Sequence, residues 1–138
     1  MTQEEKQLLL KDLCARLPYG VMIEITSDGG MMEASYDMRL DAGLLADLLH
    51  SEDAFKPYLR PMSSMTEEEV KEIQKINWQF GKPKAGECYV GDADDGYCSV
   101  SQMVNMLGYL NEHHFDYRGL IEKGLAIAVT EENNPYKE

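Results

Sequence analysis

The sequence predicts an α+β fold: a small antiparallel sheet centred on one β-hairpin and packed by three main helices. Three observations predict it. Apolar residues alternate through two adjacent runs, 21–25 and 32–40, on either side of Ser27-Asp28-Gly29-Gly30, the period-two pattern of half-buried strands about a turn. Two apolar stripes of helical period follow the pattern T-x-x-E, at Thr2/Glu5 and Thr66/Glu69, a capping box in which each side chain satisfies the other's free backbone N–H. A third helical stripe follows Ser99 and Gln102.

The first helix covers residues 2–17. Leu9, Leu10, Leu13, Cys14 and Leu17 share one stripe, which makes Cys14 a core residue, and Pro18 with Gly20 ends the helix. In the hairpin, a tight turn at Asp28-Gly29 sets Ile25 opposite Met32, Ile23 opposite Ala34 and Val21 opposite Tyr36. The same register faces Glu24 with Glu33. Such a pair suits acid/base work or a divalent cation, but on a polar strand face it reads first as two solvated carboxylates.

Asp41 caps a short helix, 41–50, carrying Leu44, Leu45, Leu48 and Leu49, with His50 at its C-terminus, where a cation complements the helix dipole. Pro57 and Pro61 force the stretch 55–61 into extended geometry and suggest an edge strand, because proline donates nothing to a ladder. Residues 66–80 form the second main helix, buried through Val70, Ile73, Ile76 and Phe80, with Met65 stapled onto Val70. Its acids Glu67, Glu68 and Glu69 lie in the first turn, where the macrodipole favours them, so their clustering needs no site to explain it. Residues 87–90 and 97–98 flank an acidic loop. The third main helix, 99–114, buries Val100, Met103, Val104, Leu107 and Leu110. Asp116 caps a short turn of helix through Leu120 and Ile121 that stops at Gly124, and 125–129 reads as a closing strand. One domain, 1–129, and a polar flexible tail, 130–138, account for the 138 residues.

The formal net charge is −12, with no basic patch. Phosphate backbones repel such a chain, which disfavours direct contact with nucleic acid or an anionic membrane. An acidic surface suits a basic protein partner or simple solubility. No apolar run approaches the roughly 18 residues of a membrane span, and the N-terminus lacks the basic and apolar regions of a secretory signal, so the expected location is the cytoplasm. Three cysteines at irregular spacing make no disulfide framework.

Motifs that carry chemistry are weak. Asp92, Asp94 and Asp95 before Gly96 look like a calcium loop, yet an EF-hand wants glycine sixth and glutamate twelfth; here glycine is fifth and Met103 twelfth. Cys88, Cys98, His113 and His114 hold the atoms for a zinc or thiol centre, without the close cysteine pairing of structural zinc. No phosphate loop, dinucleotide fingerprint or nucleophile elbow is present, and no cofactor is expected. Aromatic residues exceed what one core holds. Tyr58, Trp78, Tyr89, Tyr97 and Tyr117, with Arg60, form the candidate interaction surface, since tyrosine brings large area and a polar handle at low entropic cost.

Two segments, KPYLRPMSSMT at 56–66 and DYRGLIEKGLA at 116–126, together with LPYG at 17–20, resemble a set of short proteins from gut anaerobic bacteria and their phages and mobile elements. The resemblance implies genomic company and brings no catalytic residue, cofactor or activity with it. The reading that follows is a small acidic accessory protein of a phage or mobile element acting by protein–protein interaction. A metal- or thiol-dependent enzyme using Cys88, Cys98 and His113 or His114 is the alternative from another class, and a self-associating structural module is the third.

Overall fold

Thr2 caps the first helix as its spacing predicts. Its hydroxyl accepts from Glu5 N at 3.1 Å and the Glu5 carboxylate accepts from Thr2 N at 2.9 Å, opening α1 (Gln3–Arg16). A computed structural model describes residues 2–28, 33–50, 54–76 and 100–136 of the chain. The elements after α1 are β1 (Met22–Asp28), β2 (Glu33–Arg39), α2 (Ala42–His50), β3 (Ala54–Pro61), α3 (Glu67–Gln74), α4 (Val100–Glu112), β4 (Phe115–Asp116) and β5 (Ile127–Ala128). The fold is α+β with a small sheet, as expected. No helix among the described residues is long and apolar enough to cross a membrane.

The buried face of α1 differs from the predicted stripe. It runs through Leu9, Asp12, Leu13 and Arg16, and Cys14 is exposed rather than core. Asp12 and Arg16, one helical turn apart, are both fully buried and paired at 2.7 Å. That pair draws the charged positions inward and rotates Cys14 away.

The hairpin forms, in a different register. Ile25 pairs with Tyr36, Ile23 with Met38 and Glu24 with Asp37, and Leu40 N donates to Val21 O at 2.8 Å. The shift from the predicted register is four residues. An even shift leaves every side chain on its face, so alternation alone cannot detect it. The longer ladder brings Leu40, which is buried, level with Val21. Residues 29–32, which include most of the predicted turn, lie outside the described residues.

The sheet order is β2-β1-β3-β4, with β5 also on β3. β1 pairs antiparallel with β2 and β3, whereas β4 and β5 pair parallel with β3. The sheet is therefore mixed, where the sequence suggested antiparallel pairing throughout. β3 is interior, not the edge strand its prolines implied. The 21/40 hydrogen bond makes 23/38 and 25/36 hydrogen-bonded pairs by alternation, so the groups of Met22, Glu24 and Thr26 face β3. Pro57, opposite Ile23, then sits where its missing N–H faces away from β1. Pro61 is the last residue of the strand.

Tyr136 completes this ladder from the stretch read as tail. Its hydroxyl accepts from Met22 N at 2.9 Å and donates to Tyr58 O at 2.7 Å, bridging the position where the next β1–β3 pair would fall. Burial pushes its phenol pKa well up, so the proton needed for the second bond stays in place.

Two apolar clusters flank the sheet. Leu9 and Leu13 of α1 meet Ile23, Ile25, Phe55 and Leu59 of the strands. Met62, Met65 and Ile73 meet Met106, Leu110 and Phe115. The second capping box is present, with Thr66 and Glu69 exchanging bonds of 2.9 and 3.2 Å. In α4 the face is rotated from the predicted one: Met106 is buried and Val104 exposed. The stripe residue Phe80 and the loop at 91–96 fall outside the described residues.

Asp12→Ala should cost about 3–5 kcal/mol of folding stability, because it strands Arg16 in the core without its carboxylate. Glu72→Ala, which removes a pair with Lys75 whose two side chains are 53% and 71% exposed, should cost under about 0.5 kcal/mol. Urea denaturation of the two variants checks the contrast.

Candidate interaction site at the outer edge of β2

β1, β2 and β3 lay down a cross-strand row on the polar face of the sheet. Asp37 pairs with Glu24, and Glu24 pairs with Lys56. Tyr58, two residues along β3 from Lys56 and so on the same face, reaches into this row: its hydroxyl lies 2.8 Å from Asp37 Oδ1 and 3.3 Å from Glu24 Oε2. One phenolic proton serves two carboxylates and goes to the nearer, Asp37. Burial first, then the hydrogen bond to Asp37 and the two negative charges, push the Tyr58 pKa well up. A phenol so placed stays neutral and acts as a pin between strands, not as a base. The acidic pair expected of Glu24 and Glu33 is thus a pair of Glu24 and Asp37.

A cleft of about 270 Å³ lies beside the row, lined by Glu24, Thr26, Ala54, Phe55, Lys56 and Ile127. It falls below the roughly 300–1,000 Å³ of small-molecule sites, and its only charged lining residues, Glu24 and Lys56, are already partners across the ladder. Among the described residues no three His, Cys, Asp or Glu side chains gather to hold a metal ion.

The opposite face behaves differently. Ile23, Ile25 and Phe55 are buried beneath the helices, but their neighbours on β2, Tyr36 and Met38, remain 46% and 41% exposed. The apolar face of the sheet therefore runs on past its cover. β2 is also the end of the strand order. Since Tyr36 and Met38 turn their backbone groups towards β1, those of Ser35, Asp37 and Arg39 point outwards by alternation, and no partner strand meets them among the described residues. An open row of backbone donors and acceptors beside exposed apolar side chains is a template for an added strand.

The residues expected to form an interaction surface lie elsewhere. Tyr58 and Tyr117 are 4% and 1% exposed; their area is used inside the chain. Tyr117 sits between the guanidiniums of Arg16 and Arg118, 5.1 and 5.2 Å from its ring centroid, and donates to Asn111 Oδ1 at 2.8 Å. Arg60 is half-buried, forked onto Glu69 by two bonds of 2.7 Å and stacked on the Phe115 ring at 4.2 Å. Trp78, Tyr89 and Tyr97 lie outside the described residues, as do Cys88 and Cys98. The missed residues, Tyr36 and Met38, carry a signal in the sequence only as two members of a regular strand.

His113 and His114 are not brought to one centre. His113 packs on the Tyr109 ring, centroids 4.2 Å apart, with Nδ1 3.8 Å from Glu69. Burial opposes charge on Glu69, but the Arg60 fork and the Thr66 cap outweigh it and hold the carboxyl at about 2. His114 adopts φ +64° and stacks face to face on Tyr136 at 3.9 Å. Burial, then the nearby charge of Arg16, lower its pKa to about 4.

Comparison of the chain with protein-family models, with curated proteins and with solved structures finds no match.

The two lowered pKa values predict acid sensitivity in separate windows. Between pH about 6.5 and about 4 the unfolded chain takes up a proton that folded His114 refuses, so stability falls as the pH falls. Glu69 contributes stability that is present above about 4.5 and lost towards about 2. His114→Asn keeps a residue that tolerates positive φ and removes the titrating ring. Thermal unfolding of this variant should show a flatter pH dependence between 6.5 and 4 than the parent, with the loss below 4.5 retained.

Proposed function

We propose that the chain is a small acidic accessory protein that acts by protein–protein interaction, in which a second polypeptide adds a strand to the open edge of β2. The observation that carries this reading is the coincidence, on one strand, of outward-facing backbone groups and two exposed apolar side chains, Tyr36 and Met38. Strand addition draws affinity from main-chain hydrogen bonds and specificity from alternate side chains, and β2 offers both. A net charge of −12 supports a protein occupant over a phosphate backbone. The resemblance of residues 56–66 and 116–126 to proteins of phages and mobile elements supports an accessory role of that kind in the cytoplasm of a bacterial host.

The alternative of a metal or thiol enzyme turns on Cys88 and Cys98, which lie outside the described residues; His113 and His114 each engage their own aromatic ring.

Ser35→Pro tests the reading. It removes one outward N–H of β2 and leaves the hydrogen bonds to β1 intact. Protein bound by the wild type should be lost by the variant while the circular dichroism spectrum is retained. Binding that survives the substitution, measured by sedimentation or by surface capture, places the contact on another face.

A further inference from the structure

We infer that the strand added to β2 is β2 of a second copy of the chain, paired antiparallel about Tyr36 to make one continuous sheet across a two-fold axis; the inference rests on the edge reading above and names its partner.

The geometry of the edge limits how a strand can pair with itself. Only residues whose backbone groups face outwards can form hydrogen-bonded pairs across the new junction, and on β2 these are the odd-numbered ones, 33 to 39. Antiparallel self-pairing can therefore be centred on any of the seven residues, odd or even, and centres at 33 to 35 leave Arg39 opposite a residue before the strand begins. Centring on Asp37 sets Asp37 against itself, and centring on Arg39 sets Arg39 against itself. Like charges directly opposite each other destabilise a ladder. Centring on Met38 sets Asp37 against Arg39, but the ladder then soon runs into Asp41, which is engaged in capping α2 through Leu44 N at 2.7 Å.

Centring on Tyr36 uses the whole strand. Residue 33, a glutamate, then falls opposite Arg39 of the second copy at both ends, and residue 35, a serine, falls opposite Asp37. Tyr36 then falls opposite Tyr36 of the second copy, and Met38 opposite residue 34. The strand Glu-Ala-Ser-Tyr-Asp-Met-Arg is thus self-complementary in charge about its own middle residue. The same register covers the two apolar side chains that the helices leave exposed. An isologous two-fold interface requires a self-complementary patch of this kind, and among the described residues β2 supplies one.

Sedimentation equilibrium of the full chain, across a hundredfold range of concentration, reads the result with three variants beside the wild type. The wild type should sediment as a dimer, and Ser35→Pro as a monomer. Arg39→Glu puts like charges opposite each other at both ends and should raise the dimer dissociation constant about tenfold or more. Glu33→Arg with Arg39→Glu exchanges the charges and should restore the dimer, whereas pairing about Met38 would leave the double variant weakened. Circular dichroism confirms that each variant is folded. A wild-type monomer throughout overturns the inference; the edge reading itself then falls only if no partner is bound in a Ser35-dependent manner. A dimer indifferent to Ser35→Pro, or a double variant that stays monomeric, also overturns it.

Discussion

A single buried carboxylate organises this protein. Asp12 accepts from Arg16 Nε at 2.7 Å and Nη2 at 3.2 Å, and from Arg118 Nε at 3.1 Å. Arg16 Nη2 then reaches the carbonyl of Phe115 at 2.6 Å. A charge in the core is tolerable only when it is paired and hydrogen-bonded, and this one is held from three directions. The consequence is geometric. α1, the start of β4 and the segment after it are fixed to each other through one side chain, across about a hundred residues of sequence. Tyr117 fills the space between the two guanidiniums, so its ring stabilises the cations as well as burying area.

From that fixed corner the sheet follows. β4 begins where Arg16 holds the Phe115 carbonyl, and it pairs with the end of β3 at Arg60 and Pro61. Asp116, the next residue, caps the following turn by accepting from Leu120 N at 2.9 Å and Ile121 N at 3.0 Å. The chain is thereby turned back to lay β5 beside Tyr58 and Leu59. β3 becomes the hub, with β1 along its first half and β4 and β5 along its second. Its prolines are compatible with that place because each falls where no ladder bond is asked of it. Tyr136 then closes the gap between β1 and β3 with a phenol hydroxyl in place of a backbone pair.

The local grammar of the sequence was legible. Both capping boxes, the Asp41 and Asp116 caps, the hairpin and the helices at 3–16, 67–74 and 100–112 follow from spacing that depends on neighbouring residues alone. What depended on distant residues was not. The inward turn of Asp12 and Arg16 could have been suspected from an opposite-charge pair one turn apart on the Leu9–Leu13 face, but its depth depends on Arg118 and Phe115. The hairpin register escaped because a shift of four preserves every alternation. Tyr58 and Tyr117 are chemically the residues expected at an interface, and their polar handles instead found carboxylates and an amide inside the chain. The exposure of Tyr36 and Met38 is set by where the helices stop, which no local pattern encodes.

Among the described residues the two ends of the sheet are finished differently. At the β3 end the strands are two residues long, and the chain beyond them folds back to hydrogen-bond at Val129 and Tyr136. Short strands and covering segments are the ordinary means by which an edge is kept from pairing with other chains. At the β2 end neither appears among the described residues. Seven residues run without a proline, and Tyr36 and Met38 on their apolar face are exposed. Asp37, on this strand, is already engaged by the Tyr58 hydroxyl at 2.8 Å, and in the proposed two-fold pairing it falls opposite residue 35. An edge left open among the described residues, beside one so closed, supports the proposal of an added strand.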